Sequence, residues 1–80
     1  MGILKALADE TRLRILERVA MEEICACELP GIVRKTQPAV SQHLSVLLGA
    51  GLVRMRKDGK MRIYSVSEKG RKILHAISRW

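Results

Sequence analysis

The chain has no phenylalanine, one tryptophan and one tyrosine. With Trp80 and Tyr64 as its only aromatics, any core must be assembled from Leu, Ile, Val, Met and Ala. Its two cysteines both lie in Cys25-Ala26-Cys27, which excludes a disulfide framework spread over a secreted scaffold. No apolar run approaches the roughly 20 residues that a membrane span needs, and no signal-peptide core precedes a small-residue cleavage site. A soluble, cytoplasmic protein with no membrane partner is therefore expected. N-myristoylation is not expected either, because Ala6 stands where the acceptor pattern requires Ser or Thr. Internal repeats, low-complexity segments and linkers are lacking. So are a Gly-rich phosphate loop, a nucleophile elbow and a convergent acid-base set, and enzymatic catalysis is not expected.

What remains is a short, basic, aliphatic chain. Eighty residues support one domain, residues 1–80, which would bury only roughly 60 to 65 per cent of the surface its unfolded form exposes. A core that small gives the chain reason to gain stability by pairing with a second copy. The net charge is +7, but its distribution is more informative. Residues 1–33 carry four cations and six anions, whereas residues 34–80 carry eleven cations against only Asp58 and Glu68. The second half thus implies a polyanionic partner.

Periodicity predicts helix, helix, helix, strand, strand, helix. The first helix starts near Asp9-Glu10-Thr11-Arg12, where acidic residues suit the helix dipole, and Leu13, Leu16 and Val19 carry it to about Ala20. A short second helix is expected from near Cys27 to about Arg34, weakened by Pro30 and Gly31. Thr36 caps the third, Pro38 is tolerated in its first turn, and Gly49 and Gly51 end it. Val40, Leu44, Leu47 and Leu48 form its buried seam, leaving Gln37, Ser41, Gln42 and Ser45 outside. Asp58-Gly59 signals a type I′ hairpin turn between Leu52–Lys57 and Lys60–Val66, pairing Lys57 with Lys60, Met55 with Arg62 and Val53 with Tyr64. Ser67 caps the last helix, with a stripe of Ile73, Ile77 and Trp80 beside Leu74. The fold class is mainly α with a small β-hairpin, a winged helix-turn-helix.

The third helix has the chemistry of a groove reader. Gln can pair bidentately with adenine, and Ser can contact either partner of a base pair, so Gln37, Ser41, Gln42 and Ser45 are the candidate base contacts. His43, beside Leu44, is a further candidate that can pack near the phosphate backbone or read a base. Arg54, Arg56, Lys57, Lys60 and Arg62 put five cations on the hairpin with only Asp58 among them, more than edge protection requires. Contact with phosphates or the minor groove of double-stranded DNA is expected.

Several segments together resemble the ArsR family of winged-helix, metal- and metalloid-responsive transcriptional repressors. Leu7-Ala-Asp-Glu-Thr-Arg-Leu-Arg-Ile-Leu16 is similar to its opening helix, Glu23-Ile-Cys-Ala-Cys-Glu-Leu29 to its cysteine-containing metal box, and Gln37-Pro-Ala-Val-Ser-Gln-His-Leu44 to its recognition helix. Gly51-Leu-Val53, Arg56-Lys-Asp-Gly-Lys60 and Tyr64 resemble its wing. The resemblance implies a homodimer that binds an operator and releases it when an inducer occupies the sensor site. Pro30 stands where arsenic-sensing members carry a third cysteine, the last helix offers only His75 as a metal-site residue, and Lys69-Gly70-Arg71 looks MarR-like.

Cys25 and Cys27 are the candidate sensor. On a regular helix, residues i and i+2 point about 200° apart, so the two thiols converge on one ion only if the backbone there is extended or distorted. A helix N-terminus would lower their pKa and favour thiolates, which suit Cu(I), Cd, Hg, Zn or As(III). The alternatives are thiol oxidation or simple packing as small hydrophobes. No cofactor is required; a thiophilic metal or metalloid is the candidate inducer. In the dimer, Ile3, Leu4, Leu7, Ile73, Ile77 and Trp80 would form the interface. Two other readings compete: a winged-helix protein-protein interaction module, which would not need the basic wing, and a thiol-dependent metal or redox protein.

Overall fold

Asp9 starts the first helix, α1 (Glu10–Met21), by accepting a hydrogen bond from the Arg12 backbone N–H at 3.0 Å. In the computed structural model, which describes residues 7–78, α1 buries Ile15, Leu16 and Val19. That bond, with smaller help from nearby His43, holds the Asp9 carboxyl below its ordinary value. A carboxylate depressed by folding stabilises the native state above its unfolded value of 3.8 and loses that contribution as pH falls through the lowered value. Asp9→Ala is accordingly expected to lower the thermal midpoint at pH 7, with the gap from wild type closing as melts followed by circular dichroism are taken below pH 3.8.

Between α1 and the second helix lies an element that the periodicity does not announce. Strand β1 is only Ile24–Cys25 and pairs antiparallel with a later strand, Ile24 opposite Tyr64 and Cys25 opposite Ile63. Two residues are too few to show an alternation. The second helix, α2, is correspondingly shorter than expected: it spans Leu29–Val33 and so begins after Cys27, which sits in the preceding turn. Arg34 closes it in the left-handed region at φ 58° and turns the chain into the third helix.

That helix, α3, runs Gln37–Gly49, with Thr36 Oγ1 accepting from Ala39 N–H at 3.3 Å. Val40, Leu44 and Leu47 are buried, but Leu48 is 38% exposed and does not belong to the seam. Ala50, not Gly49, forms the C-cap, and the chain reverses at Gly51 with φ 75°.

The hairpin consists of β2 (Val53–Asp58) and β3 (Met61–Val66), and the sheet order is β1-β3-β2. Its turn is Gly59-Lys60 rather than Asp58-Gly59, so the register slips by two from expectation. Asp58 pairs with Met61, Lys57 with Arg62, Met55 with Tyr64 and Val53 with Val66. Gly59, at φ 63°, occupies the first central position, where a type II′ turn places glycine. A two-residue slip changes the partners but keeps each side chain on its expected face.

The last helix, α4 (Glu68–Ser78), begins at Ser67 as expected, with Gly70 N–H donating to Ser67 Oγ at 3.0 Å. Its first turn holds three successive carbonyls at the exit of α3. Lys69 Nζ donates to Ala50 O at 2.9 Å, Ser67 Oγ to Gly51 O at 2.6 Å, and Ser67 N–H to Leu52 O at 3.0 Å. One core joins α1, α2, α3 and the sheet through Leu16, Leu29, Val33, Leu47, Leu52 and Tyr64. The fold is a winged helix-turn-helix with a small three-stranded antiparallel sheet. No helix among the described residues is long and apolar enough to cross a membrane.

Candidate nucleic-acid interface

Helical spacing puts Gln37, Ser41 and Ser45 on one exposed face of α3. That face borders a cleft of about 380 Å³ that is also lined by Lys60, Met61 and Arg62 and by Cys25, Ala26 and Cys27. The fold thus brings the expected base-reading side chains and two expected wing cations to one concave surface. Gln42 is exposed one step round the helix and does not line the cleft. Arg54, Arg56 and Lys57 are exposed along β2.

The expected register set Lys57 against Lys60, and the observed one sets it against another cation. Lys57 stands directly opposite Arg62, and like charges in that position repel.

Two expected contact residues have partners within the protein. His43 is half-buried against α1, where its Nδ1 accepts from Arg12 Nε at 3.1 Å and its Nε2 lies 4.0 Å from Asp9 Oδ1. His43 therefore braces α3 against the first helix. Arg56 forms a two-pronged pair with Glu23, Nη2 to Oε1 at 3.0 Å and Nε to Oε2 at 3.4 Å, which holds the Glu23 carboxyl below its ordinary range and the guanidinium above its own. Arg12 and Glu23 were not legible as partners, because each lies more than thirty residues from the side chain it meets.

The thiols differ sharply in environment. Cys25 is buried in β1 and Cys27 is exposed in the turn, and Cys27 N–H donates to Cys25 Sγ at 3.3 Å. Cys25 ends β1 and Cys27 sits in the turn that follows, so neither lies on a helix. The expected pKa lowering is not found: hydrogen bonding to the Cys25 sulfur, then desolvation and the neighbouring charges of Cys25 and Glu28, raise the Cys27 thiol above its ordinary value. A helix of five residues beginning two positions later does not offset this. Among the described residues, no three His, Cys, Asp or Glu side chains converge to hold a metal ion.

Of the expected dimer contacts, Leu7 and Ile73 are half-buried and packed on the core, whereas Ile77 is 39% exposed. Ile3, Leu4 and Trp80 lie outside the described residues.

Comparison with known proteins agrees with this geometry. Residues 9–55 match the model of the bacterial regulatory protein, arsR family. Over 79 residues the chain is 43% identical to an ArsR relative from Halobacterium salinarum, covering 96% of this chain and 61% of that protein. It is 40% identical over 65 residues to an arsenical resistance operon repressor of Staphylococcus aureus, covering 81% of this chain and 62% of the other. The chain thus spans about three fifths of the length of these curated relatives. The solution structure of a homodimeric winged helix-turn-helix DNA-binding domain from Mycobacterium bovis superposes with a TM-score of 0.85 at 27% identity, over 92% of this chain and 69% of that one. On its motifs, its fold and its relatives, the chain belongs to the arsR family of bacterial regulatory proteins.

Proposed function

We propose that the protein is a cytoplasmic, dimeric transcriptional repressor that binds operator DNA through α3 and the wing and releases it on a thiol-directed signal at Cys25 and Cys27. The observation that carries the DNA reading is the shared cleft, which Gln37, Ser41 and Ser45 line together with Lys60 and Arg62. Short polar side chains read base edges in the major groove, while the wing cations neutralise phosphates beside it. Pairing of two copies through α4 would set two recognition helices roughly 34 to 36 Å apart, matching successive major grooves. The homodimeric architecture of the Mycobacterium bovis domain supports this arrangement.

The sensor reading is supported by the position of the thiols on the same cleft and by the relative that represses an arsenical resistance operon. A soft ion or an oxidant acting there would alter the surface that meets the duplex.

The test begins with duplexes selected from a randomised pool by the reduced protein. Enrichment of a two-fold symmetric sequence, bound with a steep salt dependence, is expected; no enrichment and a flat salt response would overturn DNA recognition. Cys27→Ala, at an exposed position, is expected to bind the selected duplex like wild type and to resist release by thiophilic ions and oxidants. Unchanged release in both Cys25→Ala and Cys27→Ala would remove the thiols from the mechanism.

A further inference from the structure

Lys69-Gly70, a pair that neither the recognition helix nor the wing accounts for, stands where α4 meets the exit of α3. Glycine at position 70 lets the first turn of α4 lie against the Leu52 carbonyl, where a Cβ would collide. That approach carries Lys69 across the turn at Gly51: a Cβ built on Gly51 would meet Lys69 Nζ at 3.7 Å and Cδ at 3.8 Å. The ammonium ends 2.9 Å from Ala50 O, the carbonyl of the α3 C-cap. Helix α3 has no basic residue in its last turn, so the cation that favours a helix C-terminus reaches it from α4 instead. Although it belongs to the basic half of the chain, Lys69 directs its ammonium at backbone.

We propose that Lys69 is a positioning residue for DNA recognition: it acts through the Ala50 carbonyl, fixing the angle at which the wing leaves α3, and makes no phosphate contact of its own. This rests on the DNA reading above. The segment it holds, Ala50-Gly51-Leu52, is the whole connection between α3, which ends at Gly49, and β2, which begins at Val53. Gln37, Ser41 and Ser45 precede that connection and Lys60 and Arg62 follow it, so its conformation decides whether base readers and wing cations engage one duplex together. Glycine at its centre, at φ 75°, gives the backbone freedom that neighbouring groups must remove. Ser67 contributes its bonds to Gly51 O and Leu52 O, but it also accepts from Gly70 N–H as the cap of α4. Lys69 has no part in that cap. It is therefore the residue through which the junction can be released while α4 keeps its start.

The test compares Lys69→Met with Lys72→Met, which removes the same charge from the same helix at a residue whose partner is Glu68, 3.5 Å away. Lys69→Met is expected to bind the selected duplex about three- to tenfold more weakly, the fraction of molecules with a competent junction falling by up to what one charge-assisted hydrogen bond contributes. Its salt slope is expected to match wild type, whereas loss of a phosphate contact would make it shallower by about 0.9. Affinity for an unrelated duplex is expected to hold, so the ratio of specific to non-specific binding narrows, which a general loss of folded protein would not produce. In the free protein, amide hydrogen exchange is expected to accelerate at Gly51 and Leu52 and to stay unchanged at Ile15 and Leu16 in α1. Wild-type affinity in Lys69→Met, a slope shallower by one contact, an equal loss in Lys72→Met, or unchanged exchange at Gly51 and Leu52 would each overturn the proposal. Failure of the DNA reading has a different signature: wild type itself selects no duplex, and the positioning role falls with it.

Discussion

Gly70→Ala is expected to destabilise the protein by about 2 kcal/mol, lowering the thermal midpoint by roughly 10 °C. A Cβ at this position would fall on the Leu52 carbonyl oxygen, well inside contact distance, and within 3.0 Å of Val66 Cγ2. The obstruction is backbone, so it cannot swing away as a flexible side chain would. Alanine would normally gain about 1 kcal/mol over glycine within a helix, and here the clash reverses that sign. Gly49 supplies the control, because nothing lies within 4 Å of a Cβ built there. Gly49→Ala is expected to be neutral or stabilising by up to about 1 kcal/mol. Thermal melts of the two variants separate a packing requirement at Gly70 from a general intolerance of substitution. The effect reaches function as well. Displacing the start of α4 loosens its hold on the carbonyls of Ala50, Gly51 and Leu52, and those bonds set how the wing leaves the recognition helix. Affinity for the selected duplex is expected to fall in Gly70→Ala even at temperatures where it remains folded.

The second large effect is electrostatic. In the combined variant Lys57→Gln, Lys60→Gln, Arg62→Gln, the slope of log affinity against log salt is expected to become shallower by about 2.7, since each phosphate contact contributes about 0.9. Removing Lys57 and Arg62 also removes a like-charge pair from the hairpin, so the fold is not expected to suffer. Arg56→Gln is expected to change the slope by less than one contact, because Glu23 already engages that guanidinium. Glu23→Gln would free Arg56 and steepen the slope. Binding titrations of the four proteins over a salt series distinguish a wing that contacts phosphate from one that is merely charged. An unchanged slope in the combined variant would remove the wing from the interface.

The elements most legible in the sequence were those whose signal is local. Thr36 and Ser67 were readable as caps because a cap depends on backbone groups two or three residues away, whereas Asp9 was read only as part of an acidic first turn. The faces of α3 and of the hairpin followed from periods of 3.6 and 2. The charge boundary near Arg34 pointed to the polyanion-facing half without any contact information. Signals failed where partners are distant or elements too short. Strand β1 has no period to detect, and its pairing with β3 is what places the cysteines beside the wing. The turn moved to Gly59-Lys60 because Asp58-Gly59 and Gly59-Lys60 both satisfy hairpin chemistry. The partners of His43 and Arg56, Arg12 and Glu23, lie too far along the chain for a local pattern to pair them.

By itself, then, the sequence determined that this is a small aliphatic domain with a capped polar recognition helix, a basic hairpin and a pair of thiols, since each follows from composition or from spacing within a few residues. Only the tertiary structure decided which of those side chains share a surface. Gln37, Ser41 and Ser45 line one cleft with Lys60, Met61, Arg62 and the thiols because β1 adds to β3 and because α4 clamps the exit of α3. The physical reason is that strand addition and close backbone approach at Gly70 depend on groups far apart in the chain, which no local pattern encodes.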